Sequence, residues 1–310
     1  MLVLVAPGQG AQKPGLLTPW LELPGVTDRI AEWSAAIDMD LVHHGTEAGE
    51  DEIRDTAVAQ PLLVAASLVS AGALLEDRDP AQVLGAVAGH SVGELSAASI
   101  AGVLSPADAM TLVRARGRAM AEAAAVTDTG MSAVLGGEPD AVVAHLEKLG
   151  LTAANINGAG QIVAAGTAGQ LATLTEDRPE KARVIPLKVA GAFHTEHMAP
   201  AVDVLAAAVK DAEVHDPALP YISNLDGTAV ADGRQIVQRL VNQISASVRW
   251  DLCTETFKQL GVTALIEVCP GGTLTGLAKR SLPGVRTLAL KTPDDLDAAR
   301  ELIAEHTHTA

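Results

Sequence analysis

The sequence predicts an α/β fold built on a mostly parallel sheet, with a second, smaller β-α-β-β-α-β unit set inside it. Three observations carry this. Leu2–Ala6 reads as a buried strand running into the glycine-rich loop PGQGAQKPG. The order strand, tight glycine turn, helix follows at Ala86–Ala98, which is βα grammar and implies parallel pairing. After about Ala125 the rhythm changes to short strands and helices in the order of a split βαβ unit.

Taken in order, Pro61–Leu75 and Pro106–Ala124 are predicted helices, each with a proline near its start, where a missing N–H costs nothing. Leu62–Leu75 is the longest nearly apolar run. It is too short and too interrupted by Ser and Gly to span a bilayer, so a buried helix and no membrane association are expected. Gln82–Ala88 is predicted as a strand and Gly93–Leu104 as a helix of many small residues. Met131–Leu135, Thr152–Asn157, Gln161–Ala165 and Ala182–Val189 are predicted strands, with helices at Asp140–Leu149 and Ala168–Glu176. This is the ferredoxin-like order, about 65 residues long and flanked by small residues as an insertion requires. The α/β pattern resumes with helices at Glu196–Ala212, Gly233–Ile244, Asp251–Leu260, Thr273–Arg280 and Asp294–Ala304. Strands are expected at Tyr221–Ser223, Ala264–Val268 and Arg286–Leu290. The expected division is residues 126–190 for the inserted unit and residues 1–125 with 191–310 for the core.

A chain of 310 residues is long enough for a large core and two folding units. Hydrophobic residues at 48% against 19% charged exclude a disordered chain. Aromatics make up 2%, so Ala, Val, Leu and Ile must build the core and each aromatic is informative. A net charge of −16 argues against nucleic acid, and an acidic protein partner would need a local basic patch. Cys253 and Cys269 are too few for a disulfide framework and are expected to be reduced thiols of a cytoplasmic protein. MLVLVAPGQG lacks a basic region and does not read as a signal peptide. The pairs His43–His44 and His306/His308 show no further donors at metal-ligand spacing, so surface positions and no metal site are expected.

GHSVG at Gly89–Gly93 matches G-x-S-x-G at a strand-to-helix junction. A nucleophile there sits on a strained turn with its hydroxyl above the sheet. Side chains two residues to either side would collide, so glycine is wanted at both places. The following helix aims its N-terminal N–H groups at Ser91. The alternative is a plain βα turn with a capping serine. A serine nucleophile needs a base. His194, in GAFHTEHMAP, lies where the chain re-enters the core beside a cleft between the units; His90 is expected to line the site. By pattern alone either histidine can be structural. No carboxylate between Ser91 and His194 stands out as an orienter, which argues against an ordinary esterase.

GQGAQKPG departs from the dinucleotide fingerprint, with the third glycine at the wrong spacing and no acid ending a second strand. Glycines around Gln9 suit a loop that gives backbone N–H groups to an oxyanion. LVRARGRAM puts Arg114, Arg116 and Arg118 on one helix pointing in different directions. Surface charge is the plain reading. One arginine turned into the cleft would instead hold a carboxylate in two parallel hydrogen bonds.

At this point six ordered segments coincide with a known pattern: PGQGAQ, GHSVGE, RARGRAM, GAFH, NQISASVRW and EVCPGGTLTGLAKR. Over essentially its whole length the chain resembles the malonyl-CoA:acyl-carrier-protein transacylases and, more broadly, the acyltransferase domains of fatty acid and polyketide synthases. The resemblance implies an α/β-hydrolase-like core with an inserted ferredoxin-like subdomain. It implies Ser91 as acyl-carrying nucleophile, His194 as general base, and the main-chain carbonyl of Gln243 in place of the missing acid. It implies an oxyanion hole from the N–H groups of Gln9 and Val92, and Arg116 on the malonyl carboxylate. Ser247 stands where relatives often have proline, and Trp250 is expected in the core. Val92 after the serine and Phe193 before the histidine resemble the malonyl-selective pattern. The Phe193 ring would collide with an α-methyl branch, with a core role as the alternative. The resemblance further implies malonyl-CoA as donor, acyl carrier protein as acceptor, no bound cofactor and a monomer. Lys188, Lys279 and Arg280 are the candidate basic contacts for the carrier. A serine hydrolase, or a catalytically silent carrier-binding module, would be told apart by free malonate release or by failure of Ser91 to acylate.

Overall fold

The computed structural model describes residues 1–189 and 191–307. In chain order its strands are β1 (Leu2–Ala6), β2 (Ala86–Gly89), β3 (Thr129–Gly136), β4 (Thr152–Gly158), β5 (Gln161–Thr167), β6 (Ala182–Pro186), β7 (Tyr221–Ile222), β8 (Ala229–Val230), β9 (Ala264–Glu267) and β10 (Arg286–Ala289). The larger sheet has the order β10-β9-β1-β2-β7-β8 and is parallel except at the β7/β8 edge. β1 is apolar at every position because both of its faces are covered. Leu2 and Leu4 enter one core with Trp20, Leu62 and Ile266, whereas Val3 and Val5 enter the other with Trp250, Phe257 and Leu274. Trp250 is thus a core residue, as expected.

β3 to β6 form a separate antiparallel sheet of order β4-β5-β3-β6, the ferredoxin-like arrangement. The helices Pro139–Lys148 and Ala168–Glu176 cover one face, where Val142, Leu146 and Leu174 meet Ile162 and Ala164. Val163 and Ala165, one residue out of phase, point to the other face and join the large core. The small sheet is tied to the large unit through Val248: Ile156 N donates to Val248 O at 2.9 Å and Val248 N to Ala154 O at 2.8 Å.

Several boundaries differ from expectation for identifiable reasons. The predicted strand Gln82–Ala88 begins only at Ala86; Asp79-Pro80 caps and starts one helical turn, Pro80–Val83, in front of it. The predicted helix Pro61–Leu75 begins at Thr56, where the Asp55 carboxylate accepts the Ala57 N–H, so Pro61 lies inside the helix. Proline there leaves the Ala57 carbonyl without its helical donor, and Arg114 Nη1 fills the gap at 3.1 Å. By length and composition Thr56–Leu75 could cross a membrane, but 83% of its apolar window is buried inside the protein. Glu196–Ala212 is a 3-10 turn, the α-helix Ala199–Ala208 and a second 3-10 turn. The helices Val26–Ala36 and Leu41–Thr46 were not expected. His308 lies outside the described residues.

Candidate active site

β2 ends at Gly89 and the helix Gly93–Ile100 starts four residues later. Between them Ser91 adopts a left-handed φ of 53°, the strain of a sharp elbow. Both flanking glycines are required by contact. A Cβ on Gly89 would lie 2.0 Å from the Gly93 carbonyl carbon, and one on Gly93 would lie 2.3 Å from Ala6 O. Asn224 pins the turn from beneath: its Oδ1 accepts the Ser91 N–H and its Nδ2 donates to Gly89 O, each at 2.8 Å.

His194 is buried, also at a positive φ of 62°, with Nε2 2.7 Å from Ser91 Oγ. Its Nδ1 lies 2.8 Å from the Gln243 carbonyl. A carbonyl only accepts, so Nδ1 carries the proton and Nε2 presents a lone pair to the serine hydroxyl. Burial, reinforced by the nearby Arg116 charge, depresses the imidazole pKa to about 3 and keeps it neutral. Gln243 opens the 3-10 turn that ends the helix Gly233–Asn242; its carbonyl accepts the Ala246 N–H at 3.3 Å and keeps its second lone pair for His194. Ser247 follows that turn without disturbing the Gln243 carbonyl.

Of the three arginines on Pro106–Ala124, only Arg116 turns inward, at 1% exposure. Arg118 is exposed and Arg114 is committed to main-chain carbonyls. Arg116 donates to Gln60 Oε1 at 2.7 Å and Gln243 Oε1 at 2.9 Å, and its Nη2 lies 3.3 Å from Ser91 Oγ. Burial lowers its pKa to about 10, well above neutrality, so it stays a cation.

Gln9, His90, Ser91, Phe193 and His194 line one pocket, with Met120 from the helix Pro106–Ala124 and Met131, Asn155 and Asn157 from the smaller sheet completing the wall. Gln9 is held by its side chain, whose Nε2 donates to Thr56 Oγ1 at 3.1 Å. Val92 occupies the N-cap position of the elbow helix. His90 does not approach the serine as a base. Its Nε2 pairs with Asn157 Oδ1 at 2.8 Å, and burial lowers its pKa. Lys188 is exposed between the pocket-lining residues Leu187 and Val189; Lys279 and Arg280 are exposed on Thr273–Ser281, whose first turn also lines the pocket.

Sequence reasoning missed the layer beneath. Glu94 is 1% exposed. One of its oxygens accepts the Asn224 N–H at 2.8 Å and the other a close hydrogen bond from Gln243 Nε2. Gln243 thus faces Arg116 with its amide oxygen and Glu94 with its amide nitrogen. Burial lifts the Glu94 carboxyl to about 7, against the lowering influence of the Asn224 N–H and Arg116. Glu94 stood in view inside GHSVGE, where an acid in a first helical turn reads as a dipole partner at the surface. Asn224, after a two-residue strand, gave no signal at all.

Chemically the arrangement is that of proteins that pass an acyl group through a serine, with a buried cation beside the nucleophile. A family model described as acyl transferase domain matches residues 3–292, and the chain belongs to that family. It is 52% identical over 302 residues to the malonyl CoA-acyl carrier protein transacylase of Mycobacterium tuberculosis, covering 97% of this chain and 100% of that protein. The crystal structure of MCAT from Mycobacterium tuberculosis superimposes with a TM-score of 0.92 at 51% identity, over 96% of this chain and 99% of that one. PlMCAT in the PlMCAT:AntF complex, a type II PKS acyl-carrier protein with its malonyl-transacylase, superimposes with a TM-score of 0.88 at 30% identity, over 97% and 99% of the two chains.

Proposed function

We propose that this chain moves the malonyl group of malonyl-CoA onto the phosphopantetheine thiol of an acyl carrier protein, through an ester on Ser91. His194 Nε2 takes the hydroxyl proton as Ser91 Oγ attacks the thioester carbon. The backbone N–H groups of Gln9 and Val92 receive the oxyanion. Collapse expels CoA as the thiol, protonated by the imidazolium. The carrier thiol then enters, gives its proton to His194 and attacks the Ser91 ester carbon; the C–Oγ bond breaks, the imidazolium returns the proton to Ser91 Oγ, and the malonyl thioester of the carrier leaves. Bond types exchanged are alike, so the transfer runs in both directions.

The observation that carries this reading is the position of Arg116 Nη2, 3.3 Å from the nucleophile in a water-poor site. Its guanidinium exchanges Gln60 and Gln243 as partners for the malonyl carboxylate. Orientation of His194 by a neutral carbonyl fits the same design: a carboxylate there would compete with substrate for Arg116. Phe193 narrows the pocket against an α-methyl branch. The names of the relatives support malonyl-CoA as donor and acyl carrier protein as acceptor, for fatty acid or polyketide synthesis. The reading takes the chain as a cytoplasmic monomer without a resident cofactor; two buried free thiols suit a reducing compartment. Intact-mass measurement after mixing with malonyl-CoA tests it. A single malonyl adduct is expected, absent from Ser91→Ala and weak with methylmalonyl-CoA. An unmodified wild-type mass, or rapid release of free malonate without a carrier, contradicts it.

A further inference from the structure

Outside this site, the fold brings a third donor, Glu52, to the His43–His44 pair, which no spacing in the sequence suggests. His43 and His44 lie on Leu41–Thr46, and the chain returns so that Glu52 faces both. Glu52 Oε1 is 3.0 Å from His44 Nδ1 and 3.4 Å from His43 Nε2. His44 Nδ1 is shielded from solvent and makes no hydrogen bond among the described residues; the Glu52 carboxylate at 3.0 Å is placed only for an ion-pair contact. A hydrogen-bond partner would lie along the nitrogen's lone-pair axis. Two ligands of one tetrahedral ion lie off each other's axes, about 3.4 Å apart for bonds of roughly 2.0–2.1 Å. The 3.4 Å spacing from His43, and the 3.0 Å contact from His44 that is not a hydrogen bond, fit the second arrangement.

The surroundings fit it too. His43 turns its other ring nitrogen toward the Glu47 carboxylate at 3.6 Å, the position of an outer carboxylate behind a metal-bound imidazole. Both arms are anchored: Asp40 caps the short helix through the His43 N–H, Leu41 is buried, and Ile53 beside Glu52 is buried. We propose that His43 Nε2, His44 Nδ1 and Glu52 Oε1 bind one divalent cation of the zinc class, with water in a fourth position. Two imidazoles and one carboxylate favour zinc over magnesium or calcium, which select oxygen. The site adjoins the acyl-transfer machinery. Ile53 O accepts from Gln12 Nε2 at 3.2 Å and Thr56 from Gln9, so an ion on Glu52 would brace the segment that holds the Gln9 loop.

Cobalt(II) titrated into the full-length protein tests this, because four-coordinate Co²⁺ has a strong visible absorption that hexaaqua Co²⁺ lacks. One equivalent is expected to produce the band and added Zn²⁺ to abolish it. Zn²⁺ should also raise the thermal midpoint. His44→Ala is expected to remove the band, and Glu52→Gln to weaken Co²⁺ binding at least tenfold. A double variant, His306→Ala with His308→Ala, is expected to retain the band. No tetrahedral band in wild type, or a band that survives in His44→Ala and disappears in the terminal double variant, would overturn the proposal.

Discussion

Arg116 and Glu94 stand on opposite sides of the Gln243 side-chain amide, and this ordering explains how a guanidinium stays charged in a dry site without a carboxylate against it. A direct ion pair would hold Arg116 away from substrate. An amide relay keeps the countercharge near and leaves the cation free to exchange partners. The arrangement has a measurable pH signature. The Glu94 carboxyl rises from 4.5 to about 7 on folding, so its contribution is fully present below about 4.5 and lost as pH climbs through 7. The His194 imidazole falls from 6.5 to about 3, so its contribution is present above about 6.5 and lost as pH drops through 3. Between roughly 4.5 and 6.5 the two oppose each other. Glu94→Gln removes one, and its stability should then fall on acidification more steeply than that of wild type, by roughly 1 kcal/mol per pH unit. Urea denaturation across that range measures it; parallel curves for the two proteins would contradict the buried titration. At this scale Ser91 was legible because motif and neighbourhood agree, whereas His194 and Arg116 stood out from other histidines and arginines mainly through the family resemblance. Glu94 was not, because a first-turn acid looks the same whether the helix face it occupies is wet or dry.

The elbow shows how little freedom an element keeps once strand and helix are brought this close. A methyl on Gly89 meets main chain at both Gly93 and Glu94, neither of which can rotate away. Gly89→Ala is therefore expected to cost about 1–3 kcal/mol of stability or more, and to impair Ser91 acylation well beyond its effect on folding. Denaturation together with acylation rate checks this; a fully active, fully stable Gly89→Ala protein would mean the elbow is looser than the contacts require. Helix limits were legible where a cap and the apolar pattern coincide, as at Ser105-Pro106, whose serine caps Asp108 N. They failed at Pro61. The proline reads as a start, yet the chain continues the helix through it because Arg114, on a different helix, supplies the donor that Ala57 loses. A tertiary contact of that kind leaves no local trace in sequence.

At the scale of the molecule, the site exists because two sheets meet along one seam, where one face of the smaller sheet joins the core of the larger. The Ala154–Ile156 segment bridges Val248, and Asn157 reaches across to His90. One wall of the pocket comes from each unit: Ser91, His194 and Gln9 from the larger, Met131, Asn155 and Val163 from the smaller. The split β-α-β-β-α-β unit and the mostly parallel character of the larger sheet were readable from the rhythm of the chain, because parallel βα repeats and a split antiparallel unit differ in period and connection length; the order of strands in the larger sheet and its antiparallel edge strand Ala229–Val230 were not. The seam was not readable, since it depends on single hydrogen bonds between residues 67 and about 90 positions apart. The pairing of His43, His44 and Glu52 escaped for the same reason: the third donor arrives through a loop, at no fixed sequence spacing.

The account rests on a cation that recognises the far end of the acyl group while the nearby serine and histidine act on its thioester. Single-turnover acylation of Ser91 by malonyl-CoA and by acetyl-CoA, in wild type and Arg116→Ala, tests that most directly. Loss of two charge-assisted hydrogen bonds should slow malonyl transfer on the order of a hundredfold and leave acetyl transfer unchanged or faster. Equal losses for the two donors would contradict it.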